Sequence, residues 1–315
     1  MHELQSGSSR IVTLRQVWDD YQRSRKLKAT TAENYRQRLY VHLKDWLDLP
    51  VTSITKDMVE ERHRSIKGEA IANSTMRTLR AMLHYAAVKY EDGPGNPIIK
   101  INPVARLTEV RAWHKDRRRT TVIRPQQLRA WFRGVYSINN SSFRDLLLFL
   151  LFSGLRKSEA INLRWEDVDL QSGIATIRNT KNGDDFELPM NEFNWRLLEA
   201  RSLGSNGEGY VFPGKYPNRP ISAGTKSFVK ACKQAGMPFS LHDLRRTFVT
   251  IGDELDIKTE AIKALVNHRI DDVTEGYIIR SPERLRRVSQ KICDAILTHA
   301  GFARTGQSLT NRSPL

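Results

Sequence analysis

The chain contains little cysteine and no long apolar segment. Its 315 residues include two cysteines, Cys232 and Cys293, which form neither a CxxC pair nor a metal-ligand spacing with nearby histidines. One disulfide would add little to a chain of this length, so we expect both thiols to stay reduced inside a cell. No apolar run approaches the roughly 20 residues that span a bilayer, and residues 1–10 lack the apolar stretch of a signal peptide. These absences predict a cytoplasmic protein, or a nuclear one in a eukaryote, with no membrane partner.

Acidic residues are also scarce relative to basic ones. The chain has 51 Lys and Arg against 35 Asp and Glu, which gives a formal net charge of +16 and a pI near 10.0. A folded surface with this charge attracts polyanions, and nucleic acid is the first candidate. Basic proteins also bind membranes and acidic proteins, so the motifs must decide between these partners.

The first hundred residues follow a helical pattern. Apolar residues recur at three- and four-residue spacing from Thr13, which predicts an amphipathic first helix. A capping box formed by Thr30 and Glu33 predicts the start of a second helix. Further helices are predicted over 55–67 and 74–89, so this part of the chain is expected to form a small all-α domain. The residues assigned to the inner faces of these helices are Leu14, Val17, Trp18, Tyr21, Tyr35, Leu39, Leu43, Trp46, Met76, Leu79, Met82, Leu83 and Tyr85.

The chain length and its 39% hydrophobic content suffice for two domains. A stretch rich in Gly and Pro over 93–103 blocks helix continuation, and a charged run over 114–119 follows it. Such a run is typical of a solvated linker, but a cationic connector could also lie along a DNA backbone. The predicted divisions are an N-terminal tail at 1–10, a helical domain at 11–105, a basic linker at 106–120, a second domain at 121–300 and a tail at 301–315.

The second domain is predicted to combine helices with a small antiparallel sheet. A helix is expected to begin at Pro125, and an apolar helix over 143–152 is stopped by Gly154. Alternation on both sides of an Asn-Gly turn predicts a β-hairpin with Lys181 at its tip. Three more helices are predicted over 241–255, 258–266 and 282–300.

Several residues in this domain suit phosphoryl transfer. Arg156 follows the helix-stopping glycine, while His242 and Arg245 lie one helical turn apart and share a face. Two guanidinium groups can neutralise the non-bridging oxygens of a phosphate, and a histidine can exchange protons near neutral pH. Taken singly, the arginines are better explained as ordinary surface residues and the histidine as a helix cap, so the argument depends on the whole set.

Lys181 and Tyr277 complete the chemical set. A lysine at a hairpin tip can protonate a leaving 5′ oxygen, although an exposed turn lysine is the ordinary explanation. Tyr277 lies beside Gly276 in a polar segment, nine residues after His268. A phenol with a pKa of about 10 needs neighbouring cations and a base to act as a nucleophile. Since the chain has nine tyrosines, the residues alone leave Tyr277 one candidate among several.

Four short boxes carry all of these residues except Lys181, in a fixed order. They are SGLRKSE at 153–159, HDLRRTF at 242–248, LVNH at 265–268 and TEGY at 274–277. In content, order and spacing they resemble the tyrosine recombinases, or lambda-type phage integrases, and the resemblance covers nearly the whole chain.

The resemblance implies a role for each residue of the set. It implies that Arg156 and Arg245 are the two catalytic arginines and that Lys181 is the general acid. Tyr277 would form the 3′-phosphotyrosine, and His242 would handle protons. His268 would hydrogen-bond the scissile phosphate, and the acidic Glu159 would steady the site. It implies no metal or nucleotide cofactor.

The implied fold is mainly α with a small antiparallel β-sheet. An N-terminal helical core-binding (SAM-like) domain and a C-terminal catalytic domain would form a C-shaped clamp around DNA. Candidate DNA contacts are Arg77 and Arg80 in the first domain and Arg117, Arg118 and Arg119 in the linker.

The implied function is site-specific DNA recombination through a phosphotyrosine intermediate and a Holliday junction. The substrate would be double-stranded DNA at attachment or core sites, and the event would be integration or excision of a phage or mobile element in a bacterial nucleoid. A homotetramer is expected in the synaptic complex, a monomer or weak oligomer when free, with accessory DNA-bending proteins as further partners. The alternatives are a housekeeping Xer-like recombinase that resolves dimers, a strand-relaxing type IB topoisomerase, and a non-catalytic DNA-binding protein on the same fold.

Three details of this chain bear on the resemblance. Asn267 stands where the family usually has glycine, and asparagine tolerates a left-handed backbone better than most residues. The few residues before the first helix leave no room for a separate arm-binding domain, which is expected to be absent or removed. The last helix could dock on a neighbouring protomer or pack on its own domain.

Overall fold

A computed structural model describes residues 11–115, 119–178, 180, 184–216, 218–222, 232, 239–268 and 281–302. The chain divides into two compact units, Met1–Arg119 and Thr120–Leu315. Within the described ranges, no helix is both long and apolar enough to cross a membrane.

The first unit is built from helices. They are α1 (Leu14–Ser24), α2 (Ala29–Gln37), α3 (Lys56–Ser65), α4 (Glu69–Lys89) and the short α5 (Arg106–Glu109). The Thr13 side chain caps α1 by accepting a hydrogen bond from the Gln16 backbone, and Thr55 caps α3 in the same way. The predicted stripe of α1 is buried as a whole, and the long α4 packs against both α1 and α3.

The second helix differs from its prediction. It begins one residue after Lys28, which has no capping side chain, and Thr30 lies inside its first turn, so the predicted capping box is wrong. Glu33 instead forms an ion pair with the arginine three residues along. From Arg38 the chain winds through a π-helical turn (Arg38–His42) and then a 3-10 turn (Lys44–Trp46). These turns still bury Leu39, Leu43 and Trp46, because the irregular winding keeps the apolar residues on the core side.

Residues predicted to open the linker belong to the first unit. Leu107 of α5 is fully buried in its core, and Ala112 and Trp113 pack against the same core. The helix makes contact with α3, and Lys56 forms an ion pair with Glu109. The compact part of the first unit therefore extends at least to position 113, because the apolar residues that lie between the charged ones pack against its core.

The second unit has a helical core with a small sheet at one side. Its helices are α6 (Pro125–Tyr136), α7 (Ser141–Ser153), α8 (Lys157–Ile161), α9 (Glu192–Ser202), α10 (Leu241–Glu254), α11 (Thr259–Leu265) and α12 (Pro282–His299). The apolar α7 is buried on all sides and packs against α10, α9, α8 and α6. A helix that is apolar all round must be covered on every face, so α7 forms the centre of the unit.

The sheet has three antiparallel strands in the order β1, β2, β3. They are β1 (Val168–Asp169), β2 (Ile174–Ile177) and β3 (Phe186–Pro189). Ala175 pairs with Leu188, and both side chains are buried, as the alternating pattern requires. The mainly α fold with a small antiparallel sheet is therefore confirmed.

The last helix packs on its own unit. Leu285, Ile292, Cys293 and Ile296 of α12 are buried in the core of the second unit. The helix contacts β3, α6, α10 and α11. The apolar face of the last helix is therefore covered by its own unit.

Candidate active site

The end of α7 prepares the position of Arg156. Gly154 has a φ of +64°, which ends the helix in a left-handed turn. A Cβ atom at Gly154 would lie 2.6 Å from Cδ1 of Phe248 and 3.0 Å from Cγ1 of Val266. Glycine is required here for two reasons, the backbone conformation and the close approach of α10. Arg156 then adopts an extended conformation before α8 begins.

Buried hydrogen bonds fix the same turn from the other side. The side-chain amide of Asn191 donates to the Phe152 carbonyl at 2.7 Å and to Oγ of Ser289 at 3.0 Å. Asn191 and Ser289 are almost fully buried. The C-terminal end of α7 is thereby tied to the start of α9 and to α12, so the backbone that leads into Arg156 is held rigidly.

Glu159 holds both the backbone and the side chain of Arg156. Its Oε2 accepts from the Arg156 backbone N–H at 2.8 Å, and its Oε1 accepts from Nη1 of Arg156 at 2.7 Å. The same Nη1 donates to the carbonyl of Asn267 at 3.2 Å. The Glu159 side chain is 4% exposed and that of Arg156 is 21% exposed, so the guanidinium reaches the surface from a buried anchor.

The first turns of α10 carry His242 and Arg245. Ser240 precedes the helix, and its backbone N–H donates to Oδ2 of Asp243 at 2.6 Å. The Oδ1 atom of Asp243 accepts from Nη1 of Arg246 at 2.5 Å. This buried carboxylate compensates the unpaired N–H groups at the helix start and fixes the turn on which the two candidate residues lie.

Arg245 is buried and aims at the turn after α7. It is 7% exposed, and its Nη1 donates to the Gly154 carbonyl at 2.9 Å. Burial, together with the positive charge of Arg156 and against the opposing effect of Glu159, lowers its pKa to about 10. The guanidinium remains protonated at neutral pH. Two guanidinium groups are thus close enough to repel each other, and an anion bound to both would relieve the repulsion.

His242 is exposed in the same electrostatic environment. Burial of part of the ring lowers its pKa from the ordinary value, and the charges of Arg246, Arg245 and Arg156 lower it further, against a smaller effect of Asp243. The neutral imidazole is therefore favoured at neutral pH, and a neutral imidazole has one nitrogen able to accept a proton.

The turn after α11 brings His268 to the site. Asn267 adopts a left-handed conformation with a φ of +47°, as expected for asparagine in place of glycine. Its carbonyl is the one that accepts from Arg156. The backbone N–H of His268 donates to the Lys263 carbonyl at 2.9 Å, and the residue is exposed. The structure therefore gathers Arg156, Glu159, His242, Arg245 and His268 from three separate turns.

Other predicted residues lie elsewhere or outside the described part of the chain. Lys181, Tyr277, Arg117 and Arg118 are outside the described residues. Arg119 is exposed at the end of the first unit.

The remaining candidate DNA contacts lie in the first unit. Arg77 and Arg80 are exposed on α4 and border a cavity of about 570 Å³, together with His84 and Asn102. Arg77 also lies over the ring of Trp113. The charge on this face of α4 suits a polyanion, because the arginine side chains project into solvent.

Some residues that shape the site were not predicted. Asp243 is one of these residues, although a serine followed three residues later by an acidic residue is a recognisable helix-start signal. The carbonyl acceptors of Gly154 and Asn267 leave no trace in the sequence. Among the described residues, no three His, Cys, Asp or Glu side chains come together in a way that could hold a metal ion.

The chain resembles known integrases in sequence. The sequence model described as the Phage integrase family matches residues 116–284. The prophage integrase IntF of Escherichia coli K12 is 28% identical over 270 residues, which cover 81% of this chain and 56% of that protein. The tyrosine recombinase XerA of Thermococcus kodakarensis is 30% identical over 158 residues, covering 47% of this chain and 55% of the relative. The chain thus spans little more than half the length of these curated relatives.

The fold also matches solved structures. A lambda integrase dimer bound to a COC′ core site superposes with a TM-score of 0.66 and 20% identity, covering 85% of this chain and 99% of that chain. The Tn1549 transposon integrase in complex with transposon right end DNA gives a TM-score of 0.66 and 18% identity, covering 90% and 100%. At these identities the likeness shows a shared fold.

Proposed function

The chain belongs to the phage integrase family, and on that premise we propose that it is a tyrosine site-specific recombinase that cleaves and rejoins DNA without metal or ATP. The observation that carries the proposal is the convergence of Arg156 and Arg245. Arg156 is anchored by the Asn267 carbonyl and Arg245 by the Gly154 carbonyl, and an anion bound to both guanidinium groups would relieve the repulsion between them.

The two arginines would bind the non-bridging oxygens of the scissile phosphate. Negative charge grows on these oxygens as the phosphorus becomes five-coordinate, and guanidinium groups held in advance stabilise that charge without reorganising. Glu159 supports this role, because it holds Nη1 of Arg156 from a buried position while part of the arginine side chain remains exposed.

The two histidines would handle protons and complete the phosphate contacts. A neutral His242 beside the arginines can accept a proton from the attacking hydroxyl or donate a hydrogen bond to a phosphate oxygen. His268, exposed after the Asn267 turn, would donate a further hydrogen bond to the phosphate. Their proximity to Arg156 supports both assignments.

Tyr277 and Lys181 would carry the bond changes. The phenolic oxygen of Tyr277 attacks phosphorus, a P–O bond to tyrosine forms, and the bond to the 5′ oxygen breaks. Lys181 gives its proton to the departing 5′ oxygen. Attack by a 5′ hydroxyl on the 3′-phosphotyrosine reverses the step and rejoins the strand. The order of the sequence boxes supports the assignment of Tyr277, and the predicted place of Lys181 at a hairpin tip supports the assignment of the acid.

Double-stranded DNA at paired core sites would be the substrate. Arg77, Arg80 and the linker arginines Arg117, Arg118 and Arg119 would contact its backbone. The solved structures include a lambda integrase tetramer bound to a Holliday junction. We extend this to a homotetramer of the present chain during strand exchange, formed from monomers or weak oligomers, with DNA-bending proteins as further partners at the bacterial nucleoid. Movement of a phage or mobile element is the favoured outcome.

A nicked suicide substrate tests the chemistry. Cleavage near the nick releases a short 5′ fragment, which traps the covalent complex for detection on a denaturing gel. We expect the wild type to form this adduct in the presence of a metal chelator and without ATP. Tyr277→Phe should form none, while Tyr216→Phe, which changes an exposed tyrosine in the same unit, should form it normally. An adduct with Tyr277→Phe would disprove the assignment of the nucleophile.

A sulfur-substituted substrate tests the general acid. Lys181→Ala should bind DNA but cleave slowly, and a 5′-bridging sulfur, which leaves without a proton, should restore much of the rate. Failure of this rescue would remove Lys181 from that role.

The same assays separate the alternative functions. Specific binding with no cleavage of any cognate site would favour a DNA-binding protein without catalysis. Relaxation of plasmids that lack a specific site would favour a type IB topoisomerase. An attachment site beside the gene would favour integration over the resolution of chromosome dimers.

A further inference from the structure

A buried threonine connects the start of the second unit to the turn that carries His242 and Arg245. The hydroxyl of Thr247 donates to the Asp243 carbonyl at 2.8 Å and accepts from the backbone N–H of Ile123 at 2.9 Å. Thr247 is 1% exposed. The second of these bonds joins positions 124 residues apart in the chain.

The hydrogen bond to the Asp243 carbonyl is common in helices, whereas the hydrogen bond from the Ile123 backbone is unusual. Threonine hydroxyls in helices often donate to the carbonyl one turn back. The same oxygen then has a lone pair left, and here it accepts a buried backbone N–H from outside the helix. Ile123 lies in the leading segment of the second unit, residues 120–124, and its side chain is buried in that unit's core.

The other end of the bridge lies within the candidate active site. Asp243 sits between His242 and Arg245 on the first turns of α10. Its side chain already fixes this turn through Ser240 and Arg246. A displacement of the leading segment would therefore reach, through one hydroxyl, the backbone that carries both candidate catalytic residues.

We propose that Thr247 is a positioning residue, which couples the placement of the leading segment to the placement of Arg245 and His242 on the phosphate. The inference rests on the recombinase function proposed above and deepens it. Thr247 does not touch the phosphate. It acts through Arg245. A substitution of Thr247 should therefore affect cleavage as a poorly placed arginine would, and not as the loss of the general acid or of a DNA contact would.

The side chain can be altered so that shape and hydrogen bonding change separately. Thr247→Val keeps the volume but removes the hydroxyl, which leaves the Ile123 N–H without this acceptor. Thr247→Ser keeps the hydroxyl and loses one methyl group. Thr250→Val is the matched control, since it makes the same change three residues along α10 at a partly exposed position. If Thr247→Val fails to fold, Thr247→Cys replaces it, because a thiol is a much weaker acceptor of similar size.

Single-turnover cleavage of the suicide substrate provides the first measurement. We expect Thr247→Val to slow adduct formation by about ten- to a hundredfold, the range expected for misplaced catalytic groups, with the DNA Kd changed less than about threefold. Thr247→Ser should retain most of the rate, and Thr250→Val should match the wild type. Equal rates for Thr247→Val and the wild type would overturn the inference.

A methylphosphonate at the scissile position provides the decisive measurement. This group lacks one negative oxygen, so its cleavage depends less on charge neutralisation by an arginine. If Thr247 acts through Arg245, the deficit of Thr247→Val relative to the wild type should shrink several-fold on the methylphosphonate. It should persist on the substrate with a 5′-bridging sulfur, which relieves only the need for an acid.

The outcomes separate this inference from the proposed function. An equal deficit on the phosphodiester and the methylphosphonate would show general damage to the fold and would overturn the positioning role. No adduct with the wild type on any substrate would overturn the recombinase proposal, and the inference with it. Normal wild-type cleavage with an unaffected Thr247→Val would overturn the inference alone.

Discussion

Replacing Gly154 by alanine should destabilise the second unit strongly. A residue with a Cβ atom at a φ of +64° costs about 1–2 kcal/mol relative to glycine. The added Cβ would also lie 2.6 Å from Cδ1 of Phe248 and 3.0 Å from Cγ1 of Val266. Phe248 is fully buried and cannot turn away, and overpacking of this kind costs about 1–3 kcal/mol. Together these effects predict a loss of about 2–5 kcal/mol in the free energy of unfolding.

Gly173→Ala separates the two contributions. Gly173 has nearly the same backbone angle, a φ of +66°, in the same unit. The nearest atom to its added Cβ would be Nη2 of Arg286 at 3.4 Å, the flexible end of a long side chain. This variant should therefore show the backbone cost of about 1–2 kcal/mol without the clash.

Hydrogen exchange measured for α7 and α10 is the appropriate assay, because a chain of two units need not unfold in one step. The Gly154→Ala variant should also cleave DNA more slowly at temperatures where it stays folded, since the carbonyl that orients Arg245 belongs to the displaced residue. If Gly154→Ala proves no more destabilising than Gly173→Ala, the close approach of Phe248 does not limit this turn and the reasoning is wrong.

Three further predictions concern charge. Glu159→Gln should slow adduct formation about ten- to a hundredfold because its arginine partner loses an anchor, whereas Glu166→Gln, at an exposed ion pair, should have no effect in the same gel assay. The first unit should lose stability as the pH falls below the ordinary histidine value of 6.5, because burial lowers the pKa of His63 and the unfolded chain then binds the proton more readily. An NMR titration that places this pKa at or above 6.5 would contradict it. Arg77→Ala and Arg80→Ala should each reduce the slope of log K against log salt by about 0.9, measured by fluorescence anisotropy on duplex DNA.

Much of the secondary structure could be predicted from the sequence, because local signals agree with the packing. The apolar stripe of α1, the proline at the start of α6 and the apolar run of α7 each specify one helix, and the structure has all of them. Predictions from local sequence signals are wrong where the packing of the chain decides the structure. The capping box at Thr30 does not form because the helix starts two residues earlier, with Lys28 rather than Thr30 as the residue before its first turn. The short helix α5 forms because Leu107 packs against the core of the first unit, beyond the predicted boundary.

The candidate site shows the same division. Arg156, His242, Arg245 and His268 could be predicted from the sequence, because the sequence gives the chemical identity of each side chain. The orientation of the two arginines could not be predicted from the sequence, because it depends on backbone carbonyl oxygens, which every residue has. Only the fold selects the carbonyls of Gly154 and Asn267 as acceptors.

Because backbone carbonyls orient both arginines, the site is sensitive to shifts of the turns that carry these carbonyls. Arg156 is held by Asn267 in the turn after α11, and Arg245 is held by Gly154 in the turn after α7, so each arginine is oriented by a residue of a different sequence box. A shift of either turn therefore misplaces an arginine that lies in another part of the sequence. Asn191 and Ser289 restrain the turn after α7, and the bond from the Ile123 backbone to Thr247 restrains α10, which packs against α7. Variants at such buried polar residues should impair cleavage more than DNA binding, because they disturb orientation while leaving the basic surface intact.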